Sequence, residues 1–282
     1  MPLDAWGAGH PGQRRRAPRR GGRVQRVQSD RRRGQPLAGC RVTPSPSPSG
    51  SSAVYDKILL FDIDGTLLLS GRAGYRALTR TFEEVFGVAR GFDGVPVAGK
   101  TDEIILTDAL ARAGVEADQA HRRRFHDRYC ELFAGEIHFP GPRKGLMPGV
   151  ADLLATLDDR PEIRCGLVTG NFARPAQIKL EYFDLWRYFH FGAYGDDAPT
   201  RDDLVPIAVE RARLAGAEVA APADVVVIGD TPLDVQCARV AGARPVAVAT
   251  GSYDQAALEA TGAAVVANFS NSEAVVCLLL EP

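Results

Sequence analysis

Ile58-Leu59-Leu60-Phe61 is an unbroken apolar run with no polar face, and Asp62-Ile63-Asp64-Gly65-Thr66 follows it at once. A strand that is apolar on both sides must be covered on both, which is the position of a central strand in a parallel sheet. Short apolar runs recur at residues 163–168, 225–228, 246–249 and 264–266, separated by helical patterns. Such alternation predicts an α/β fold, a doubly wound, Rossmann-like and mainly parallel sheet.

The interval between Leu69 and Leu146 breaks the alternation, because it holds helical patterns and no buried strand. It reads as an inserted helical cap. Tyr75, Leu78, Phe82, Val85 and Phe86 form one apolar stripe that stops at Gly87, and Phe125, Tyr129, Leu132 and Phe133 form another. A third helix starts at Thr101, with Asp102 and Glu103 complementing the dipole of its first turn. The connector from Phe139 to Gly145 is expected to pair with Ser70-Gly71 as a two-strand hinge. The expected organisation is a tail over residues 1–53, a catalytic core over residues 54–70 and 146–282, and a cap over residues 71–145.

Charge supports that division. Residues 1–53 carry eleven Arg against Asp4 and Asp30, a net of +9, which leaves −10 for the rest of a chain whose formal total is −1. The tail is rich in Arg, Gly, Pro and Ser, buries too little apolar area to offset ordering, and is expected to be disordered. A nucleic-acid arm or a transit peptide are its functional readings; an inert tail, or a start assigned upstream of the true one near Val54, are the plainer ones. An acidic body argues against nucleic-acid binding by the folded domain. Cys40, Cys130, Cys165, Cys237 and Cys277 form no CxxC or metal-type spacing, which suits a reducing compartment. No window approaches the roughly 18 consecutive apolar residues of a membrane span. A cytoplasmic location is therefore expected.

The chemistry gathers at strand ends. Residues two apart on a strand share a side, so Asp62 and Asp64 can both face the crevice beyond the carboxyl edge of the sheet, where open α/β folds bind ligands. Two neighbouring carboxylates repel unless a cation lies between them or one takes a proton, and Mg²⁺, a hard cation with oxygen ligands, is the simplest resolution. A second strand ends in Thr169-Gly170-Asn171, a hydroxyl and a loop of free N–H groups suited to phosphate oxygens. A third ends in Gly229-Asp230-Thr231-Pro232-Leu233-Asp234, adding two carboxylates at the same edge.

Taken together, over about residues 56–280, these motifs resemble those of the haloacid dehalogenase superfamily. The likeness is to its phosphatase branch with a helical cap after the first strand, that of phosphoglycolate phosphatases and β-phosphoglucomutases. The resemblance implies Asp62 as nucleophile, Asp64 as general acid and base, Thr169 with Gly170 and Asn171 as phosphate ligands, and Mg²⁺ held by Asp62, Asp64 and Asp230, with Asp234 orienting the metal shell. It also implies one basic residue on the phosphate. Position favours Arg201, where relatives commonly carry Lys; Lys179 is the other possibility, its plainer reading being a solvated helix face.

Substrate choice is expected of the cap, with the segments Gly71–Tyr75 and Gly99–Asp102 as contacts to the leaving group, Tyr75 and Lys100 among them, and Lys100 suited to an anionic tail. The partner implied is a small phosphorylated metabolite, phosphoglycolate-like or a sugar phosphate. A phosphomutase using the same Asp62 is the nearest alternative, and a non-catalytic binding protein on this scaffold a more distant one. No Walker or GxGxxG loop is present, so no nucleotide cofactor is expected, and oligomeric state is left open.

Overall fold

The computed structural model describes the backbone of Ala53–Val54 and residues 57–281; apart from Ala53, the expected tail lies outside the described residues. Among these, six strands form one sheet: β1 (Lys57–Phe61), β4 (Ile163–Val168), β5 (Gly192–Ala193), β6 (Val225–Gly229), β7 (Arg244–Val248) and β8 (Ala264–Val266). Their order is β8-β7-β6-β1-β4-β5, with every pairing parallel. The doubly wound α/β architecture follows from β1 itself. Leu59 and Phe61 pack into one core layer with Leu153, Leu154 and Leu279, while Ile58 and Leu60 pack into the opposite layer with Leu204, Val205 and Ala238. A strand whose alternate residues are all buried needs helices on both faces.

Two details differ from the sequence expectation. The run expected at residues 246–249 pairs as Arg244–Val248. β5 was not anticipated, because a two-residue Gly-Ala edge strand carries neither an apolar run nor β-branched residues. A separate parallel pair joins Ala53–Val54 to Ala217–Glu218.

Between Gly71 and Lys144 lie three helices, α1 (Ala73–Phe86), α2 (Asp102–Ala113) and α3 (Gln119–Glu136). The segment leaves and rejoins the sheet through an antiparallel pair, β2 (Leu68–Leu69) with β3 (Gly145–Leu146). The hinge thus falls two residues before Ser70-Gly71. Gly71 instead packs so tightly on Gly141 that either would clash on gaining a Cβ. Gly87 ends α1 in the left-handed region, as its sequence position predicts.

Apolar stripes of the three helices meet in an aromatic stack. Phe82 lies against Phe92 at a centroid distance of 5.3 Å, and Phe125 lies against Tyr129 at 6.3 Å. Tyr129 also meets Phe172, at 6.1 Å, and Ile178 joins the same cluster. Phe172 and Ile178 flank or belong to helix α5 (Ala173–Tyr182) of the sheet domain, so the aromatic core is shared across the two layers. Phe125 is fully buried, and Phe125→Ala is expected to destabilise the protein by about 3–5 kcal/mol, seen as a lowered urea midpoint. An unchanged midpoint would contradict the packing described.

Candidate active site

Register brings the three motifs together. β1 lies between β4 and β6, with Phe61 opposite both Leu167 and Ile228. Asp62, one residue beyond Phe61, and Thr169 and Asp230, two residues beyond its partners, therefore emerge at one lip of the sheet. The Asp62 N–H still donates to the Ile228 carbonyl at 2.9 Å, so the nucleophile candidate is the last residue tied to the sheet. Asp62, Asp230 and Asp234 are buried and offer carboxylate oxygens all within 4.8 Å of one another. Gly65, at φ 88°, closes the turn after β1, and a Cβ there would strike the Asp230 carboxylate. Thr66 donates its hydroxyl to Asp230 Oδ1 at 3.2 Å.

Burial is the largest influence on these acids. It pushes both Asp62 and Asp230 above the ordinary carboxylate range, reinforced by their neighbouring carboxylates and opposed by Arg201. An all-oxygen donor set whose mutual repulsion Arg201 relieves only in part fits a hard divalent cation such as Mg²⁺. The Asp64 carboxylate does not join this set. It is taken by Lys179 Nζ and by Asn171 Nδ2, the latter at 2.8 Å, so its side chain is not placed as the expected metal ligand. Asp234 serves two neighbours: its Oδ2 accepts from the Thr231 N–H at 3.0 Å, capping helix α7 (Pro232–Val240), and Oδ1 meets Arg201.

Both basic candidates enter the site. Arg201 is buried, reaches Asp62 Oδ1 at 2.9 Å, and donates to the Val168 and Gly99 carbonyls, each at 3.3 Å. Lys179 is equally buried and holds Asp64 and, at 2.5 Å, Asn171 Oδ1. The solvated helix face weighed for Lys179 is thus overturned: helix α5 turns it inward beneath the Phe133 ring. Arg201 pairs with Asp62 and Asp234, and Lys179 pairs with Asp64.

Thr169 departs from expectation. It is fully buried, and its Oγ1 accepts the Asn171 side-chain amide at 2.8 Å; Gly170 and Asn171, themselves buried, line the cavity. A cavity of about 580 Å³ opens above, lined by Asp62, Asp64, Asp230, Lys179 and Arg201 below and by Tyr75, Lys100, Asp102 and Tyr129 on the helical side. Tyr75 spends its hydroxyl on Asp93 at 2.5 Å. Lys100 is ion-paired with Asp108 at 2.7 Å, so it is not the free cation expected for an anionic tail.

The sequence places Asp102 in the first turn of α2 and in the Gly99–Asp102 turn expected to contact the leaving group. Thr101 does cap that helix, and Asp102, 6% exposed, faces inward on the cavity, but its hydrogen bonds go to the loop after β4. Its N–H donates to the Gly170 carbonyl and its Oδ2 accepts from the Phe172 N–H, both at 2.8 Å. Nothing in the local sequence shows that a first-turn Asp reaches a loop some seventy residues away.

Comparison with known proteins agrees with this geometry. The family model of haloacid dehalogenase-like hydrolases matches residues 59–239. A phosphoglycolate phosphatase of Rhodospirillum rubrum is 30% identical over 213 residues, 74% of this chain and 86% of that protein. Phosphoglycolate phosphatase 1 of Pseudomonas aeruginosa is 27% identical over 203 residues, 69% of this chain and 70% of its own. The crystal structure of CbbY from Rhodobacter sphaeroides in complex with phosphate superposes with a TM-score of 0.58 at 20% identity, covering 76% of this chain and 95% of the other, a likeness of fold. The chain belongs to the haloacid dehalogenase-like hydrolase family, as a phosphatase with phosphoglycolate phosphatases among its relatives.

Burial pushes the Asp102 carboxyl up to about 6 from 3.8, against the pull of Lys179 and the Phe172 N–H. The folded state then binds this proton more tightly than the unfolded chain, so the ionised group costs stability progressively as pH rises from about 4 through about 6. Asp102→Asn removes that dependence. Its stability relative to wild type is expected to rise by about 3 kcal/mol between about pH 4 and about pH 7.5 in chemical denaturation, and a pH-independent difference would contradict the burial argument.

Proposed function

We propose that the chain hydrolyses a small phosphomonoester, of the phosphoglycolate-like or sugar phosphate class, through an aspartyl-phosphate on Asp62 with Mg²⁺ as cofactor. The observation that carries this reading is the division of labour between adjacent carboxylates. Asp62 lies with Asp230, Asp234 and Arg201, whereas Asp64 lies with Lys179 and Asn171. One carboxylate stands inside the acidic cluster and the other, two residues on, stands outside it, the separation that a nucleophile and an acid–base partner require.

Asp62 attacks the phosphorus in line; its oxygen–phosphorus bond forms as the bond to the leaving oxygen breaks. Asp64, protonated, gives that oxygen its proton. Asp64 then takes a proton from the water that attacks the phosphorus of the aspartyl-phosphate, and phosphate leaves with Asp62 restored. Arg201 keeps Asp62 anionic, and the N–H groups of the Gly170-Asn171 loop face the phosphate oxygens. Asp62 and Asp230 would hold Mg²⁺ with Asp234 steadying the set; when bound, the ion offsets the repulsion between carboxylates and phosphate. The helical segment over residues 71–145 acts as a cap, with Tyr75 and Lys100 on the wall that meets the leaving group.

Among the described residues no helix is long and apolar enough to cross a membrane, and a small diffusible metabolite in the cytoplasm is the substrate this reading supplies. The test is phosphate release from 2-phosphoglycolate and p-nitrophenyl phosphate with Mg²⁺ and no bisphosphate primer. Release is expected to vanish in EDTA and to fall at least about 1,000-fold in Asp62→Asn. Equal activity of wild type and variant would refute the mechanism, and dependence on a bisphosphate primer would decide for a phosphomutase.

A further inference from the structure

Asn171 is the hinge of the acid–base pair. Its side-chain amide donates to Asp64 Oδ2 and to Thr169 Oγ1, both at 2.8 Å, while its carbonyl oxygen Oδ1 accepts from Lys179. Rotation of this one amide would release Asp64 on one side and Lys179 on the other. The backbone on either side of Asn171 is gripped by a single residue of the helical segment. Asp102 takes the Gly170 carbonyl with its N–H and the Phe172 N–H with its carboxylate, so residue 171 sits inside a two-point bracket.

The bracket also answers a local requirement. Helix α5 begins without a side-chain cap of its own, since Phe172 stands at its N-cap and cannot accept a hydrogen bond. The first free donors, the N–H groups of Phe172 and Ala173, are met from elsewhere in the fold, by Asp102 and by Asp196. An anionic acceptor at a helix N-terminus is favoured by the dipole, which helps hold a buried carboxylate in place. Close approach is possible because residue 170 is Gly: any Cβ there would collide with the Lys100 carbonyl. Arg201 anchors the same turn of the helical segment through the Gly99 carbonyl, at 3.3 Å.

We propose that Asp102 is a positioning residue that couples docking of the helical segment to the orientation of Asp64, acting through Asn171. The inference rests on the reading of Asp64 as the acid–base group. With the segment docked, the Asp102 bracket fixes the Asn171 backbone, and the amide then presents to Asp64 a donor at a set angle. With it undocked, both bracket bonds are lost, and the Asn171 amide keeps only its side-chain partners Asp64, Thr169 and Lys179. Proton transfer to the leaving group is thus fastest in the closed arrangement.

The experiment compares kcat/KM for 2-phosphoglycolate, whose alkoxide must be protonated as it leaves, with that for p-nitrophenyl phosphate, whose phenolate leaves without help. Asp102→Ala is expected to lower the first by roughly 10- to 100-fold and the second by less than about 3-fold. Asp102→Asn, which keeps the N–H and an accepting oxygen, is expected to stay within about 3-fold of wild type on both. In an Asp64→Asn background the further change Asp102→Ala should cost less than about 3-fold, because residues acting through one another are not additive. Should Asp102→Ala fold poorly, Asp102→Ser, too short to reach the Phe172 N–H, carries the same expectation. Equal losses on both substrates, an Asn variant no better than Ala, or additive losses with Asp64→Asn would overturn the proposal and leave the phosphatase reading intact. A wild-type protein inactive on both substrates would overturn the two together.

Discussion

Buried like charge is the constraint around which this molecule is arranged. Four aspartates, Asp62, Asp64, Asp230 and Asp234, crowd the carboxyl edge of the sheet, three of them almost wholly out of water. Leaving such charges unpaired is expensive, and the fold answers with two buried cations, Arg201 on Asp62 and Lys179 on Asp64, just beyond the end of β1. Arg201 comes from the turn before the helix that follows β5, and Lys179 from the inner face of α5. What remains uncompensated around Asp62 and Asp230 is the local charge that a divalent cation and a phosphate would complete.

Charge placement also explains why the helical segment belongs to the site and is more than a cover. Its aromatic core runs through Tyr129 into Phe172, and its Gly99-to-Asp102 turn bonds to Arg201 and to the loop that carries Asn171. The residues that tie the segment down are therefore neighbours, in space, of Asn171, Asp64 and Lys179. Apolar contact supplies the affinity between the two layers, and a few hydrogen bonds set their register.

Much of this was legible in the chain as written. The apolar strand β1, the run over residues 163–168 and the run before Gly229 are locally unambiguous, because a fully buried strand has no polar face to confuse its period. The acidic strand ends and the Thr169-Gly170-Asn171 loop were found for the same reason, since each follows directly on such a run. Less visible were features whose cause is remote. β5 is too short to pattern, the hinge pair lies two residues from where composition placed it, and Lys179 carries no mark that separates an inward lysine from a solvated one.

Sequence alone determined the sheet, the helical insert and the identity of the carboxylates, because periodicity and strand-end chemistry are properties of neighbouring residues. Tertiary structure alone decided which cation serves which aspartate, that Asp64 turns to Asn171 and away from the cluster of Asp62, Asp230 and Asp234, that Thr169 lies beneath the loop, and that Lys100 is already paired. These outcomes depend on distances between side chains far apart along the polypeptide. Electrostatic energy in a buried site falls steeply with such distances and with access to water, and neither quantity is written in local sequence.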